Sequence, residues 1–116
     1  FDAVAMNYAI ALNGLTHINL TKLDVFTGIP KLKIGVAYKV KGKKLTHVPP
    51  DVESLENAKV EYIEMPGWTE DISNARTFKQ LPKNAQNYVL RIEKLLGVPI
   101  AYIGVGKERA QMVVRL

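Results

Sequence analysis

The hydrophobic pattern of the first 40 residues predicts a helix followed by two strands. Apolar residues recur at helical spacing in the opening stretch, so we expect a helix with one buried face, made by Phe1, Val4, Ala5, Tyr8, Ala9 and Leu12. Asn13-Gly14 is a typical helix stop. Residues 16–21 read as a short strand. Residues 31–40 alternate strictly, which predicts a half-buried strand with one apolar face, made by Leu32, Ile34, Val36, Tyr38 and Val40.

The rest of the chain predicts a hairpin, a second helix and three further strands. Lys41-Gly42-Lys43 reads as a turn into a return strand that ends before Pro49-Pro50. A polar connection with one helical turn, a strand at 60–65 and a loop at 69–80 with a helical turn follow. A second helix is expected to start at Pro82 and end before Gly97, and the last strands are predicted at 100–105 and 112–114. The apolar residues of this helix are Ala85, Tyr88, Val89, Ile92, Leu95 and Leu96. This order predicts an α/β fold: a mixed sheet with a β-hairpin and two main helices.

Composition agrees with one folded domain. The chain has 116 residues, of which 47% are hydrophobic and 23% charged. It starts at Phe1, already inside the helical pattern, and we therefore expect a piece of a longer chain. It contains no cysteine, so thiolate metal sites and a cysteine nucleophile are excluded. No apolar run approaches the roughly 20 residues of a membrane span, and a cytoplasmic protein that does not act at a membrane is expected.

The net charge of +5 is moderate. The positive charge is concentrated in the predicted hairpin, which carries Lys39, Lys41, Lys43 and Lys44. A basic hairpin tip is usually only a solvated surface. One hypothesis is nevertheless a free-standing basic interaction module that uses the segment from Lys39 to Lys44 to bind an acidic partner or nucleic acid.

Two loops that follow predicted strands are the best candidate binding sites: Lys22-Leu23-Asp24, and Gly104-Val105-Gly106-Lys107. In open α/β sheets, ligands bind outside the carboxyl ends of the strands. An aspartate can accept from two adjacent N–H donors, such as those of guanine, and a lysine stem can cover a flat ring. The alternatives are that Asp24 caps a short helix and that the glycine loop is a plain turn. The phosphate-loop pattern fails there, because Ala101 and Glu108 stand where glycine and a hydroxyl residue are required.

Other residues are weaker candidates for a catalytic or metal-binding role. His17 and His47 have no partner at metal-ligand spacing, so core or surface roles are expected. Ser54 and Ser73 lie outside any nucleophile-elbow pattern. Trp68 reads as a packing anchor. The sequence therefore offers neither a complete catalytic set nor a metal site.

Taken together, these stretches resemble the C-terminal part of the adenylosuccinate synthetase family over essentially all 116 residues. The matching residues, in order, are Asn13-Gly14, Leu20-Thr21-Lys22-Leu23-Asp24-Val25, Lys33-Ile34-Gly35-Val36-Ala37-Tyr38, Pro66-Gly67-Trp68, Leu81-Pro82 with Ala85, Asn87-Tyr88 and Glu93, and Gly104-Val105-Gly106-Lys107-Glu108-Arg109. The Gly-Val-Gly-Lys form is similar to the eukaryotic branch. Bacterial members carry serine where Gly104 stands.

The resemblance implies a ligase that uses GTP and Mg²⁺ to join IMP and L-aspartate, on a larger P-loop-NTPase-like α/β fold. It implies that Asp24 takes the N–H pair of guanine and Lys22 covers the base. Gly104 to Lys107 would close on the other edge of the ring, mostly through backbone groups. The phosphate loop, the catalytic residues and the metal, IMP and aspartate sites would lie before Phe1. Residues 1–116 would then be the C-terminal part of one synthetase domain, inactive alone, in a protein that is a homodimer in this family and has no nucleic-acid partner.

Overall fold

The computed structural model describes residues 1–47 and 58–115, which form a mixed α/β structure. The predicted connection at 51–57 and Pro49-Pro50 lie outside the described residues. The helices and strands in chain order are α1 (Ala3–Asn13), β1 (Ile18–Leu20), β2 (Lys31–Val40), β3 (Lys43–Leu45), β4 (Lys59–Pro66), α2 (Lys83–Leu96), β5 (Ile100–Gly104) and β6 (Met112–Val114). They fall into two compact units: Phe1–Leu15 with Lys33–Glu64, and Thr16–Leu32 with Met65–Leu116.

The first unit contains the predicted hairpin. Strands β2 and β3 pair antiparallel with Tyr38 opposite Leu45, and the strand order is β3-β2-β4. Both residues of the turn, Lys41 and Gly42, have positive φ values of 51° and 79°. Such a turn matches the right-handed twist of the strands. The hairpin predicted from the sequence is therefore confirmed.

Helix α1 forms as predicted, but the expected buried face is wrong. Asp2 caps the helix by accepting from the N–H of Ala5 at 3.0 Å. Ala3 and Val4 are the helix residues that become buried, whereas Tyr8 and Leu12 are 55% and 69% exposed. The start of the helix is held in place, because the carbonyl of Phe1 accepts from the N–H of Gly35 in β2. The sequence of α1 has no charged residue, so its pattern could not define a single inner face.

The second unit contains a mixed sheet with the order β1-β5-β6. Strand β1 runs parallel to β5, with Leu20 opposite Ile103, and β5 pairs antiparallel with β6, with Ile103 opposite Val113. The core of this unit contains residues of β5, β6 and the apolar side of α2 that are fully buried or nearly so: Ala85, Tyr88, Val89, Ile92, Ile100, Ile103 and Val113. Pro82 is the N-cap of α2 and not its first helical residue, and Gly97 ends the helix with φ 71°. The predicted mixed sheet and amphipathic helix are confirmed.

A small polar network fixes the start of β5. Glu93 of α2 accepts from the N–H of Ile100 at 2.8 Å and forms an ion pair with Arg115 at 2.7 Å. Arg115 also donates to the carbonyl of Ile100, and its guanidinium lies 4.4 Å from the ring centre of Phe78. Because these groups are largely buried and charge-assisted, they hold β5 in a defined position relative to α2.

Candidate functional site

The chain leaves β1 through a tight turn that sets the position of Asp24. Lys22 adopts the left-handed conformation, with φ 58° and ψ 38°, and a 3-10 turn then spans Leu23–Phe26. The carbonyl of Lys22 accepts from Val25 at 3.2 Å, and that of Asp24 accepts from Thr27 at 3.1 Å. The Leu23 side chain is fully buried and anchors the turn in the core. A left-handed lysine costs about 1 kcal/mol or more, and such strain is often found at functional sites.

The carboxylate of Asp24 has an unsatisfied atom. Its Oδ1 is buried and has no hydrogen-bond partner among the described residues. The alternative in which Asp24 caps the short helix finds no support, because Lys22 is the N-cap residue and no side chain caps the turn. A buried acceptor without a donor costs about 1–3 kcal/mol, and this cost disappears if a ligand brings an N–H group.

Lys22 lies next to this acceptor without neutralising it. Its side chain is exposed, and in the part of the chain that the structure describes its ammonium group makes no ion pair. The lysine stem is therefore available to lie over a flat ligand while the charge remains in water.

The structure brings the glycine loop to the same place. Strand β5 runs parallel to β1, so both strands end at one edge of the sheet. A Cβ atom on Gly104 would lie 3.3 Å from the nitrogen of Lys22 and 3.4 Å from the Cα of Thr21. The two predicted loops are thus neighbours, and the missing side chain at Gly104 allows their backbones to approach this closely.

The backbone of the glycine loop is held closed by hydrogen bonds, and two of its N–H groups have no acceptor among the described residues. Val105 donates to the carbonyl of Gln111 at 2.9 Å, and Gln111 donates to that of Glu108 at 3.0 Å. The Val105 side chain is fully buried. Within residues 1–47 and 58–115, the N–H groups of Gly106 and Lys107 have no acceptor. Gly106 is partly exposed and Lys107 is exposed.

An aromatic cluster supports the turn that carries Asp24. The ring of Tyr88 in α2 lies 6.1 Å from that of Phe26 and 6.2 Å from that of Trp68. The indole N–H of Trp68 donates to the hydroxyl of Thr27 at 3.1 Å. Burial raises the pKa of Tyr88 to about 12. The prediction that Trp68 is a packing anchor is confirmed, and Phe26 and Tyr88 join it as residues that position the site.

Sequence reasoning missed Gln111. Its side-chain oxygen accepts from the N–H of Glu108 at 3.0 Å, and its side-chain nitrogen donates to the carbonyl of Ser73 at 3.4 Å. No motif pointed to this residue, since the contact depends on how the loop folds back on itself.

The remaining candidates do not join this site. His17 and His47 are exposed, and in the described ranges no three His, Cys, Asp or Glu side chains form a group that could hold a metal ion. In the hairpin, Glu61 pairs with Lys39 at 3.5 Å and with Lys44 at 3.3 Å. The hydrogen bond from Lys44 lowers the pKa of Glu61. Two of the four hairpin lysines are therefore already engaged.

The arrangement presents hydrogen-bonding groups from two neighbouring loops. It combines one buried acceptor on the first loop with two donors on the second, beside a long lysine stem. A flat heterocycle with paired N–H donors on one side and an acceptor nearby would complement it. No helix among the described residues has the length and apolarity needed to cross a membrane.

Comparisons with known proteins give a consistent result. The family model for adenylosuccinate synthetase matches residues 1–113. The chain is 52% identical over 114 residues to adenylosuccinate synthetase of Phaeodactylum tricornutum, covering 98% of this chain and 22% of the relative. It is 53% identical over 115 residues to the chloroplastic adenylosuccinate synthetase of Chlamydomonas reinhardtii, covering 98% and 25%.

A solved structure agrees. Fully ligated adenylosuccinate synthetase from Plasmodium falciparum superposes with a TM-score of 0.94 at 38% identity, covering 100% of this chain and 28% of that one. The chain therefore spans about a quarter of the length of the relatives it matches.

Proposed function

Because the chain belongs to the adenylosuccinate synthetase family, we propose that it is the C-terminal, guanine-binding part of such an enzyme. The whole protein would form adenylosuccinate from IMP and L-aspartate with hydrolysis of GTP. The mixed α/β fold is that of the matching region of the Plasmodium enzyme. The alternative of a free-standing basic module has no comparable support, since two of its lysines are paired with Glu61.

The observation that carries the proposal is the buried, unpaired Oδ1 of Asp24. Guanine presents a ring N–H and an exocyclic amine side by side, and a carboxylate can accept from both. Adenine would place an acceptor opposite the carboxylate and leave it unpaired. By the usual cost of such a mismatch, this selectivity is worth about 1–3 kcal/mol, and more for a charge. Lys22 would cover the ring with its methylene stem.

The second loop would read the opposite side of the base. Guanine carries a carbonyl oxygen next to its ring N–H, and the free N–H groups of Gly106 and Lys107 are suitable donors for it. Gly104 keeps this loop close to Lys22. Leu23 and Val105 would act through their backbone positions, since both side chains are fully buried.

Other functions of the enzyme would reside outside this chain. The described residues do not fit a Mg²⁺ site, because they contain no cluster of suitable ligands. We propose that the residues for Mg²⁺, IMP and aspartate and the catalytic groups belong to the remaining parts of a family member, and that the whole enzyme is a homodimer. Residues 1–116 would then be the C-terminal part of one synthetase domain. A cytoplasmic location stays a prediction, because some relatives are named chloroplastic.

The decisive experiment is Asp24→Asn in a grafted enzyme, in which this chain replaces the matching 115 residues of the Chlamydomonas relative. We expect the parent graft to turn over with GTP and to prefer it to ATP. The substitution should raise the KM for GTP at least 10-fold, since the asparagine amide presents a donor to the exocyclic amine. It should lower the KM for xanthosine triphosphate, whose second carbonyl can accept from that amide. Steady-state kinetics with the three nucleotides provide the measurement.

Asp71→Asn is the matched control. The N–H of Ser73 donates to Asp71 and lowers the pKa of that carboxyl, which lies on an exposed loop. This change should leave nucleotide preference unaltered. A parent graft without preference for GTP, or an Asp24→Asn graft with unchanged GTP kinetics, contradicts the proposed function.

A further inference from the structure

The side chain of Gln111 fills the space beneath the glycine loop. A Cβ atom added to Gly106 would lie only 2.3 Å from the Oε1 of Gln111, well inside contact distance. The absence of a side chain at position 106 and the presence of glutamine at position 111 are therefore linked. The amide occupies the volume that any other residue at 106 would need.

The same amide connects the loop at two points. Its oxygen accepts from the N–H of Glu108 at 3.0 Å, an ordinary hydrogen-bond length, and its nitrogen donates to the carbonyl of Ser73 at 3.4 Å, a long and weaker contact. The carbonyl of Ser73 is itself held by Arg76 at 2.8 Å. The N–H of Glu108 would otherwise be the next free donor after those of Gly106 and Lys107.

We infer that Gln111 is a positioning residue for base recognition, which sets the direction of the Gly106 and Lys107 N–H groups by holding the loop from below. This inference rests on the proposed function, since it assigns a role to those two donors. Gln111 occupies the Glu108 donor, while the two donors before it have no acceptor among the described residues. It touches the loop backbone and not the base.

Gln111→Ala and Gly106→Ala test the inference in the grafted enzyme defined above. The first removes the amide, and the second expels it from beneath the loop. Comparing GTP, 6-thio-GTP and ITP tests the two edges of the base separately. In 6-thio-GTP the carbonyl oxygen becomes sulfur, a weak acceptor, while ITP lacks the exocyclic amine that faces Asp24. Each variant should lower the preference for GTP over 6-thio-GTP by about 5- to 10-fold, with the preference for GTP over ITP unchanged.

The double variant gives the sharper result. If both substitutions act by displacing the same amide, Gly106→Ala should have little further effect once Gln111 is alanine, and the two effects should not add. Glu108→Ala is the control within the loop, because its exposed side chain can be removed while the backbone N–H stays. It should leave both preferences as they are.

The outcomes separate this inference from the proposed function. The role of Gln111 is overturned if the parent graft selects GTP over ITP but both variants keep its preference for GTP over 6-thio-GTP. It is also overturned if the effects of the two substitutions add fully. A parent graft that does not select GTP over ITP overturns the proposed function instead. Should Gln111→Ala fail to fold, as judged by thermal unfolding of the graft, Gly106→Ala decides alone, because it retains glutamine at 111.

Discussion

At the scale of single residues, the candidate site is defined by polar atoms that lack a hydrogen-bond partner. Asp24 has a buried oxygen without a donor, whereas Gly106 and Lys107 have N–H groups without an acceptor among the described residues. The turn around them is otherwise well satisfied, because the carbonyls of Lys22 and Asp24 both accept from the backbone. A buried polar group without a partner calls for an explanation, and a ligand, an ion or a water molecule can supply the missing partner. Neither group would be noteworthy without the other on the neighbouring loop.

Gly104 provides a test at this scale. We expect Gly104→Val to raise the KM for GTP in the grafted enzyme about 10-fold, because its branched side chain would press on the nitrogen of Lys22, which already lies 3.3 Å from an added Cβ. Ala110→Val adds side-chain bulk at an exposed position of the same loop and should change the KM little. Equal effects of the two substitutions would contradict a specific close approach at Gly104.

At the scale of elements, α2 and β5 carry the two loops to their positions. Tyr88 of α2 contacts Phe26 and Trp68 and so supports the turn after β1. Glu93 of α2 fixes the start of β5 through Ile100 and Arg115, and β5 then delivers Gly104 to the edge of the sheet. The binding loops thus depend on one amphipathic helix, whose buried face was readable from the sequence.

The raised pKa of Tyr88 predicts alkaline sensitivity of the second unit. Below pH 10 the phenol is neutral in both the folded and unfolded states, and its stabilising effect is complete. As the pH rises from 10.0 toward about 12, the unfolded chain loses this proton while the folded chain keeps it. Stability should therefore fall with rising pH, by up to about 3 kcal/mol. Trp68 is the only tryptophan of the chain and contacts Tyr88, so its fluorescence can follow unfolding in urea at each pH.

Tyr88→Phe should flatten this pH dependence, and Tyr62→Phe, at an exposed tyrosine, should not. Tyr38 also has a pKa raised to about 12, through burial and then its hydrogen bond to Asp2, but it lies in the first unit. Identical slopes for Tyr88→Phe and the unchanged chain between pH 10 and 12 would show that Tyr88 is not protected by burial.

At the scale of the whole molecule, the chain corresponds to one part of its longer relatives. It matches about a quarter of the length of its relatives, and its described residues contain the groups proposed to bind the base but no cluster of metal ligands. Helix α1 is largely apolar and has no charged residue, and yet Tyr8 and Leu12 remain exposed. A helix with this composition is normally covered.

We expect the purified 116-residue chain to form no adenylosuccinate from GTP, IMP, L-aspartate and Mg²⁺, because it would read the base without the groups that react. Chromatographic assay of the product is the measurement, with the grafted enzyme as the active reference. Blue-shifted emission from Trp68 would verify that the second unit is folded in the same sample. Substantial turnover by this chain would refute the proposal that the catalytic groups lie outside it.

The sequence alone determined most of the elements and the pairing of two strand-end loops. The strand β2, the amphipathic pattern of α2 and the stops at Gly14 and Gly97 are local signals, and each was confirmed. The strict alternation expected in β2 was wrong, because Ala37 on the opposite face is fully buried and Val36 is only partly buried. The choice of Asp24 as a candidate also came from the sequence, helped by a resemblance over the whole chain. Such features depend on neighbours within a few residues, which periodicity and turn chemistry record directly.

Only the tertiary structure decided which of these side chains is satisfied. The unpaired Oδ1 of Asp24, the approach of Gly104 to Lys22 and the amide of Gln111 beneath Gly106 all join residues from different elements or from opposite ends of a loop. Likewise, the elements that pack against α1 determine which of its residues are exposed, and the pattern of α1 itself does not. Periodicity specifies which side of an element is apolar, whereas burial and hydrogen-bond satisfaction depend on partners that are distant in sequence.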